Sequence, residues 1–205
     1  MKVELYTSIV GQNDSLRKDK IKNFTGFSKF KRDVYNSKIH KILPHLLFPD
    51  ADVTVWIDGN IYLREGIDVE EMVKEYLGDN DMVMFKHPTR DCLYQEAFVC
   101  KDLYIDKSGD EVSKALEAQT FFYEFQKFPP HFGLWETGVM IRRNNKKMKQ
   151  FNEKWWSHIS MFSNRDQVSF PYVVKELPKV KIGIIEGNVR HHPYFKIFNH
   201  TRIRQ

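Results

Sequence analysis

Residues Val53–Tyr62 have the sequence VTVWIDGNIY, and this stretch decides the fold. β-Branched and aromatic residues fill its first half, which is typical of a strand buried in a sheet. The strand runs into Asp58, and Gly59 and Asn60 then favour a turn. In open α/β sheets, ligands bind outside the carboxyl ends of the strands. We therefore predict a central strand whose terminal Asp58 holds a divalent cation, which in turn can hold a diphosphate.

The composition is that of a globular protein, with 205 residues of which 41% are hydrophobic and 29% charged. This length suffices for a domain with a sizeable core, and the sequence contains no repeat and no Gly/Ser-rich linker. We expect residues 1–205 to form a single domain and a monomer. The first ten residues lack the apolar core of a signal peptide, and no apolar run is long enough for a membrane span. These features predict a cytoplasmic location.

The net charge of +5 arises from 32 basic and 27 acidic residues that are largely interspersed. This pattern is typical of a solvated surface, and no nucleic-acid-binding motif accompanies it, so we expect no nucleic-acid partner. Cys92 and Cys100 lie eight residues apart in a predicted helix. A separation of about 12 Å along the helix axis is too long for a disulfide, which predicts two free thiols.

Strands and helices alternate along the chain, which predicts an α/β fold. The predicted strands are Val3–Val10, Asp52–Ile57, Asp81–Phe85, Gly138–Arg142 and Val180–Ile185. The predicted helices are Asp33–Phe48 with a break at Pro44, Asp68–Leu77 with Asp68 as N-cap, Asp91–Tyr104, Asp110–Phe125, Asn145–Phe162, and Arg165–Leu177 with Ser163 as cap. Gly11–Lys31 is predicted as a long loop, and Asn188–Gln205 as a basic, aromatic tail.

Possible metal ligands follow two of the predicted strands. Asn60 can present a carbonyl oxygen to an ion held by Asp58. The rival acidic segment 79–81 precedes its strand and is therefore at the opposite end of the sheet, where we interpret it as a turn. His191 and His192 follow the last strand, and either can complete the metal site, with His191 preferred.

Charged residues near the predicted strand ends suit phosphate and sugar chemistry. Glu136 precedes a strand in which Gly138 permits close backbone approach, and Asp166 lies where it serves either as a helix cap or as a catalytic acid. Basic residues can neutralise a diphosphate leaving group, although a surface salt bridge explains each one singly. These basic candidates are Lys38, Lys41, Arg90, Arg142 and Arg165.

An ordered series of motifs carries a family resemblance. The motifs are Lys41–His45, Phe48–Asp50, Trp56–Asn60, Lys86–Arg90, Glu136–Val139, Arg142–Asn144, Trp155–Trp156 and Arg165–Phe170. Together they resemble a group of plant, bacterial and viral glycosyltransferase-like domains with the GT-A fold, including the N-terminal glycosyltransferase domain of a chlorella-virus protein. The chain is more distantly similar to glycogenin-type retaining transferases. The resemblance extends over residues 1–200, essentially the whole chain.

The resemblance implies a GT-A (Rossmann-like) three-layer α/β sandwich around a central mixed, mostly parallel sheet. It implies a metal-dependent, retaining glycosyltransferase that uses Mn²⁺ or Mg²⁺. The donor would be a UDP-sugar such as UDP-glucose or UDP-rhamnose, and the acceptor a glycan or glycoprotein. If the chain is viral, its location would be the host cytoplasm.

The resemblance also implies roles for individual residues. Segment 58–60 takes the place of the family's Asp-x-Asp motif, and Asn60 departs from that motif because it replaces the second Asp. The implied metal ligands are Asp58, Asn60 and His191. The implied donor-binding residues are Thr7, Ile9, Lys41, Asp58, Arg90 and Gln167. The implied catalytic residues are Asp166 and, as the alternate carboxylate, Glu136.

Two other function classes are consistent with parts of the sequence. A non-catalytic nucleotide-sugar or carbohydrate-binding module would suit the many aromatic residues and the departure at Asn60. An Asp-dependent phosphatase is disfavoured, because that chemistry needs a second acid where Asn60 stands. We expect the acceptor to be recognised by the loops Gly11–Lys31 and Lys107–His131. Their sequences do not indicate a particular glycan.

Overall fold

A computed structural model describes residues 1–11, 17, 19, 21–104 and 110–199. The predicted segments Gly11–Lys31, Lys107–His131 and Asn188–Gln205 therefore lie partly outside the described residues. The strands are β1 (Val3–Ser8), β2 (Lys22–Phe24), β3 (Val53–Ile57), β4 (Ile61–Leu63), β5 (Met82–Lys86), β6 (Trp135–Arg143), β7 (Ile182–Ile185) and β8 (Phe195–Ile197). The helices are α1 (Asp33–Ile42), α2 (Pro44–Leu47), α3 (Val69–Leu77), α4 (Leu93–Tyr104), α5 (Asp110–Phe125), α6 (Lys146–Met161) and α7 (Asp166–Glu176), with a 3-10 turn at Val189–His191.

The main sheet has six strands in the order β2-β1-β3-β6-β5-β7. β1 is parallel to both β2 and β3, and β5 is parallel to β7. Only β6 runs against its neighbours, β3 and β5. A small second sheet pairs β4 with β8. The predicted mixed, mostly parallel sheet is confirmed.

The two faces of the sheet are covered by different helices. Alternate residues of a strand point to opposite faces, so Val55 packs on one side and Trp56 on the other. The Trp56 face packs against α1, α6 and α7, and the Val55 face packs against α3. A third apolar cluster joins α4 and α5 to α7. This is the predicted three-layer α/β sandwich.

Several local predictions are confirmed. The first long helix breaks at Pro44, because α1 ends at Ile42 and α2 begins at the proline. Asp68 caps α3, where its side chain accepts hydrogen bonds from two backbone amides of the first turn. Cys92 and Cys100 are buried free thiols. Apart from these predictions, no helix in the described part of the chain is both long and apolar enough to cross a bilayer.

Other predictions are wrong in detail. The segment predicted as a loop contains β2, and β4 and β8 were not predicted. Each of these strands has three residues, which is too short to show an alternating pattern. β6 begins at Trp135 instead of Gly138. Ser163 does not cap α7 directly, because the N-cap residue is Arg165, whose backbone amide donates to the Ser163 hydroxyl at 3.4 Å.

An irregularity between β5 and β6 shapes the end of the sheet. Met84 pairs with Met140, but the next residue, Phe85, pairs with Glu136. The intervening β6 residues are therefore without a β5 partner, although Val139 still pairs with Ile57 of β3. Such bulges bend a strand and redirect its side chains. Here the bulge lies next to the end of β3, and it places Gly138 beside Asp58.

Candidate functional site

A cleft of about 200 Å³ lies at the carboxyl ends of β3 and β5. Polar side chains from four parts of the chain line it, namely Asp58, Asn60, Glu136, Thr137, Gln167 and Arg190. The floor includes Gly138, in the bulged part of β6. The cleft is therefore at the sheet edge where ligands bind in open α/β sheets.

Asp58 projects from the end of β3 into this cleft. Its Oδ1 accepts hydrogen bonds from the Lys41 Nζ at 3.0 Å and from the Trp56 Nε1 at 2.7 Å. A Cβ on Gly138 would lie 3.4 Å from Asp58 Oδ2 and 3.0 Å from Ile61 Cδ1. The absence of a side chain at position 138 therefore leaves room around the carboxylate. With 38% of its side chain exposed, Asp58 is accessible to a ligand.

Lys41, from the last turn of α1, connects Asp58 to a second carboxylate. Its Nζ lies 3.0 Å from Asp58 Oδ1 and 2.8 Å from Asp166 Oδ2, and it also donates to the Thr137 hydroxyl at 3.3 Å. Burial by itself would lower the pKa of Lys41, but the two carboxylates outweigh burial and raise the pKa above its ordinary value. Lys41 therefore stays charged within the protein.

Asp166, at the start of α7, has partners on both of its oxygens. Oδ1 lies 2.7 Å from the Nζ of Lys38 and Oδ2 lies 2.8 Å from that of Lys41, while Thr137 donates to Oδ2 at 3.1 Å. Burial opposes ionisation of Asp166, but the two ammonium groups outweigh it and hold its pKa well below its ordinary range. A carboxylate this strongly stabilised is a weak base and a weak nucleophile. The geometry therefore suits Asp166 to a positioning role, in which its carboxylate holds the ammonium groups of Lys38 and Lys41 in place.

Lys38 is the last residue in the series of ion-paired side chains Asp58–Lys41–Asp166–Lys38. It lies one turn before Lys41 on α1, and 16% of its side chain is exposed. Burial lowers its pKa to about 8, and the nearby carboxylate of Asp166 only partly offsets that effect. Lys38 therefore titrates closer to neutral pH than an ordinary lysine does.

Arg142 supports the site from within the core. It is fully buried in β6, and its guanidinium donates to the backbone carbonyl of Lys41, to the Tyr6 hydroxyl at 3.1 Å and to Asn152 Oδ1 at 3.2 Å. A cation at the carboxyl end of a helix is favourable, since the last carbonyls of the helix carry partial negative charge. Arg142 thus fixes the end of α1 that carries Lys41, and its burial removes it from direct contact with a diphosphate.

Glu136 and Arg190 form an ion pair on another wall of the cleft. The Glu136 Oε1 accepts from the Arg190 Nη1 at 2.8 Å. The other oxygen, Oε2, is buried and has no hydrogen-bond partner among the described residues. A buried polar atom without a partner is costly, and it is often satisfied by a water, an ion or a ligand. Oε2 is therefore a candidate ligand-binding atom.

The cleft offers oxygen ligands that fit a hard divalent cation. Asp58 and Glu136 contribute carboxylates and Asn60 a carboxamide, and the unpartnered Oε2 would gain a partner. The described residues include no cluster of three or more His, Cys, Asp and Glu side chains arranged to hold a metal. The set fits an ion such as Mn²⁺ or Mg²⁺ only where substrate oxygens complete the coordination, as is common for metals bound with nucleotides.

The two candidate histidines lie in different surroundings. His191 is exposed in the 3-10 turn and is not one of the residues that line the cleft, so its role as a metal ligand stays a prediction. His192 is buried, and its ring packs edge-on against Phe85 and Tyr76. Asn60 lines the cleft, but its side-chain amide donates to the Phe198 carbonyl at 3.1 Å and so links the turn to the segment after β8.

The predicted donor-binding residues are only partly brought together. Gln167 lines the cleft beside Asp58. Thr7 and Ile9 are buried at the end of β1, where the Thr7 hydroxyl lacks a partner among the residues described. Arg90 lies outside the cleft lining, because Glu96 binds its guanidinium at 2.7 Å. The roles predicted for Thr7, Ile9 and Arg90 stay predictions.

Sequence reasoning missed two residues of the site. Thr137 bridges Lys41 and Asp166, and Arg190 pairs with Glu136. Arg190 directly precedes the two histidines that were predicted as candidate metal ligands, so its position was a usable signal. Thr137 gave no such signal, because a threonine in a strand needs no functional explanation.

The family model of the TOD1/MUCI70 glycosyltransferase-like domain matches residues 21–200. The chain belongs to this family. This confirms the glycosyltransferase-like family that the ordered motifs predicted. The TOD1/MUCI70 match extends over β3, β6 and α7, and so includes Asp58, Glu136 and Asp166.

Two curated relatives of this family come from Arabidopsis thaliana. The alkaline ceramidase TOD1 is 27% identical over 163 residues, which are 75% of this chain and 34% of the relative. The probable hexosyltransferase MUCI70 is 26% identical over 148 residues, which are 67% of this chain and 24% of the relative. The chain thus spans about a third and a quarter of the lengths of these relatives.

Solved glycosyltransferases resemble the fold only loosely. A glycosyltransferase involved in glycosylation of the major capsid of PBCV-1 is 9% identical, with a TM-score of 0.47 and coverage of 90% of this chain and 82% of that chain. Mouse xyloside xylosyltransferase 1 is 13% identical, with a TM-score of 0.41 and coverage of 81% and 63%. At these scores the TOD1/MUCI70 family match, and not the structural likeness, identifies the chain.

Proposed function

We propose that this chain is a glycosyltransferase domain that moves a sugar from a nucleotide-sugar donor to a glycan or glycoprotein acceptor. The observation that supports this most is the buried chain of charges Asp58–Lys41–Asp166–Lys38 at the open end of the sheet. It combines a partly exposed carboxylate, which can hold a cation, with a buried ammonium group that keeps this carboxylate in place. The family membership and the hexosyltransferase relative support the same reading.

The proposed donor is a UDP-sugar, such as UDP-glucose or UDP-rhamnose, bound together with Mn²⁺ or Mg²⁺. Asp58 and Asn60 would hold the ion, and oxygens of the diphosphate would complete its coordination. When bound, such an ion stabilises negative charge on the leaving diphosphate. Lys41 keeps Asp58 oriented through the 3.0 Å ion pair and adds positive charge next to it.

The two candidate acids receive different roles in this proposal. Asp166 is a positioning residue, because Lys38 and Lys41 occupy both of its oxygens. Glu136 is the carboxylate with an unpartnered oxygen in the cleft, so it is the better group for stabilising positive charge on the reacting sugar. We propose transfer with retention, in which the acceptor attacks from the face that the diphosphate leaves.

Release of UDP from several UDP-sugars in the presence of Mn²⁺ tests the proposal. Asp58→Ala should reduce the rate of UDP release at least about 100-fold, because the variant loses the group that orients the ion and the diphosphate. Asp50→Ala is the matched control, since Asp50 is an exposed aspartate outside the cleft and should keep the wild-type rate. Unchanged UDP release in Asp58→Ala would overturn the role of Asp58.

The same experiment separates the alternatives. Binding of a UDP-sugar without release of UDP, with every acceptor tried, would indicate a nucleotide-sugar-binding module. Because one relative is named an alkaline ceramidase, ceramide should be assayed in parallel. Ceramide hydrolysis that is independent of UDP-sugar would contradict the transferase proposal.

A further inference from the structure

We propose that the Arg190–Glu136 ion pair is a latch that the donor diphosphate opens: Arg190 leaves Glu136 for the diphosphate, and the freed Glu136 faces the sugar. The inference rests on the proposed function, since it assumes a nucleoside diphosphate in the cleft. It assigns a donor-binding role to Arg190, which none of the motifs in the sequence indicated.

The two partners differ in how firmly they are held. Glu136 is on β6, pairs with Phe85 across the bulge, and has 13% of its side chain exposed. Arg190 is in the three-residue 3-10 turn Val189–His191, and 54% of its side chain is exposed. The exposed guanidinium can rotate to another acceptor at little cost, whereas the largely buried side chain of Glu136 is held by its strand. Arg190 is thus the partner that moves.

The charges of the cleft favour this exchange. Lys41 and Lys38 are already paired with Asp58 and Asp166 at 2.7–3.0 Å. Of the described residues that line the cleft, Arg190 is the cationic one. A diphosphate that enters the cleft brings several negative charges, and guanidinium binds phosphate oxygens with paired hydrogen bonds. Arg190 would therefore gain a stronger partner than the single carboxylate oxygen at 2.8 Å.

In the latch, Glu136 and the diphosphate compete for Arg190, so variants of Arg190 and Glu136 should have opposite effects on nucleotide binding. Arg190→Gln should weaken binding of UDP with Mn²⁺ about tenfold, because a charge-assisted contact to phosphate is lost. Glu136→Gln should strengthen UDP binding about two- to fivefold, because the group that competes for Arg190 loses its charge. Both affinities are measured by isothermal titration calorimetry with UDP and with GDP, each at saturating Mn²⁺.

Two exposed charges outside the cleft provide matched controls. Arg64→Gln and Glu65→Gln remove the same charges from exposed positions outside the cleft and should leave the affinity at the wild-type value. If Arg190→Gln and Glu136→Gln both weaken UDP binding, or if neither changes it, the latch is overturned and the proposed function stands. If the wild-type protein binds neither nucleotide, both proposals are overturned.

Discussion

At the scale of single residues, Lys41 is the group that joins the two acids of the site. Its ammonium contacts Asp58 and Asp166, and its backbone carbonyl accepts from the buried guanidinium of Arg142. A buried charge is tolerated only where opposite charges and hydrogen bonds compensate for lost water. The arrangement therefore explains why so much charge lies beneath the cleft, and it makes each member sensitive to loss of its partner.

The buried carboxylate of Asp166 makes stability depend on pH. Its pKa is lowered on folding, so its contribution to the free energy of unfolding is fully present above the unfolded pKa of about 3.9 and is lost as the pH falls through the folded pKa. Asp166→Asn should reduce the free energy of unfolding at pH 7 by about 3 kcal/mol, since two buried lysines lose a charged partner. Urea unfolding at pH 7, 5 and 3 measures the difference.

The pH dependence distinguishes this effect from simple loss of packing. The difference in free energy of unfolding between wild type and Asp166→Asn should be constant from pH 7 to 5. It should shrink below about pH 4, because Asp166 then protonates in the unfolded wild-type chain while it stays ionised in the folded one. Asp79→Asn, at an exposed aspartate, should match the wild type throughout. A gap that persists unchanged at pH 3 would contradict the ionic explanation.

At the scale of elements, the strands and helices with several residues of repeating pattern were predictable, and the shortest were not. β3 shows β-branched and aromatic residues, and α3 shows an apolar stripe together with a capping aspartate. β2, β4 and β8 have three residues each, and what selects them as strands is an available edge partner elsewhere in the fold. That partner is absent from any local window of sequence.

The cap of α3 provides a test at this scale. The Asp68 Oδ1 accepts from the backbone amides of Glu70 and Glu71 at 2.8 and 3.1 Å. Asp68→Ala should lower the free energy of unfolding by about 1 kcal/mol, because two amides of the first turn lose their acceptor. UDP release should be unchanged, since α3 lies outside the cleft. Asp79→Ala, just after the same helix, is the control and should show no loss in urea unfolding.

At the scale of the whole molecule, the small sheet links the cleft to the end of the described chain. β4 follows directly after the turn that carries Asn60, and β8 pairs with it through Leu63 and Phe195. Phe195 is fully buried against Phe85, at the cleft end of β5. The stability of the 58–60 turn therefore depends on residues more than a hundred positions away.

Phe195→Ala tests this dependence. The variant should lose about 3–5 kcal/mol of unfolding free energy, since a large buried ring is replaced by a cavity. It should also bind UDP with Mn²⁺ more weakly at temperatures where it remains folded, because the turn loses its support. Phe125→Ala, at an aromatic residue that is 74% exposed, should change neither quantity. If Phe195→Ala lost stability but kept the wild-type affinity for UDP, β8 would not support the nucleotide-binding site.

Part of the candidate site could be predicted residue by residue, but its ion pairs and hydrogen bonds could not. Asp58, Lys41 and Asp166 each had a local signal, because each lies at the end of a strand or in a patterned helix. The ion pair between Glu136 and Arg190 spans 54 positions and depends on how the tail folds back. Only the tertiary structure brings such groups together, so sequence reasoning supplied the chemistry without the contacts.

The bulge between β5 and β6 has a consequence for how the cleft can change over evolution. Phe85 meets Glu136 only because the β6 residues between Glu136 and Met140 are left out of the pairing with β5. Side chains in a strand alternate between the two faces of the sheet. Removing a single residue from 137–139 would therefore turn Glu136 away from the cleft, although no core residue had been substituted. Insertions and deletions, more than substitutions, are therefore the changes able to create or erase this pocket, and family members should be compared first by loop and strand length at this point.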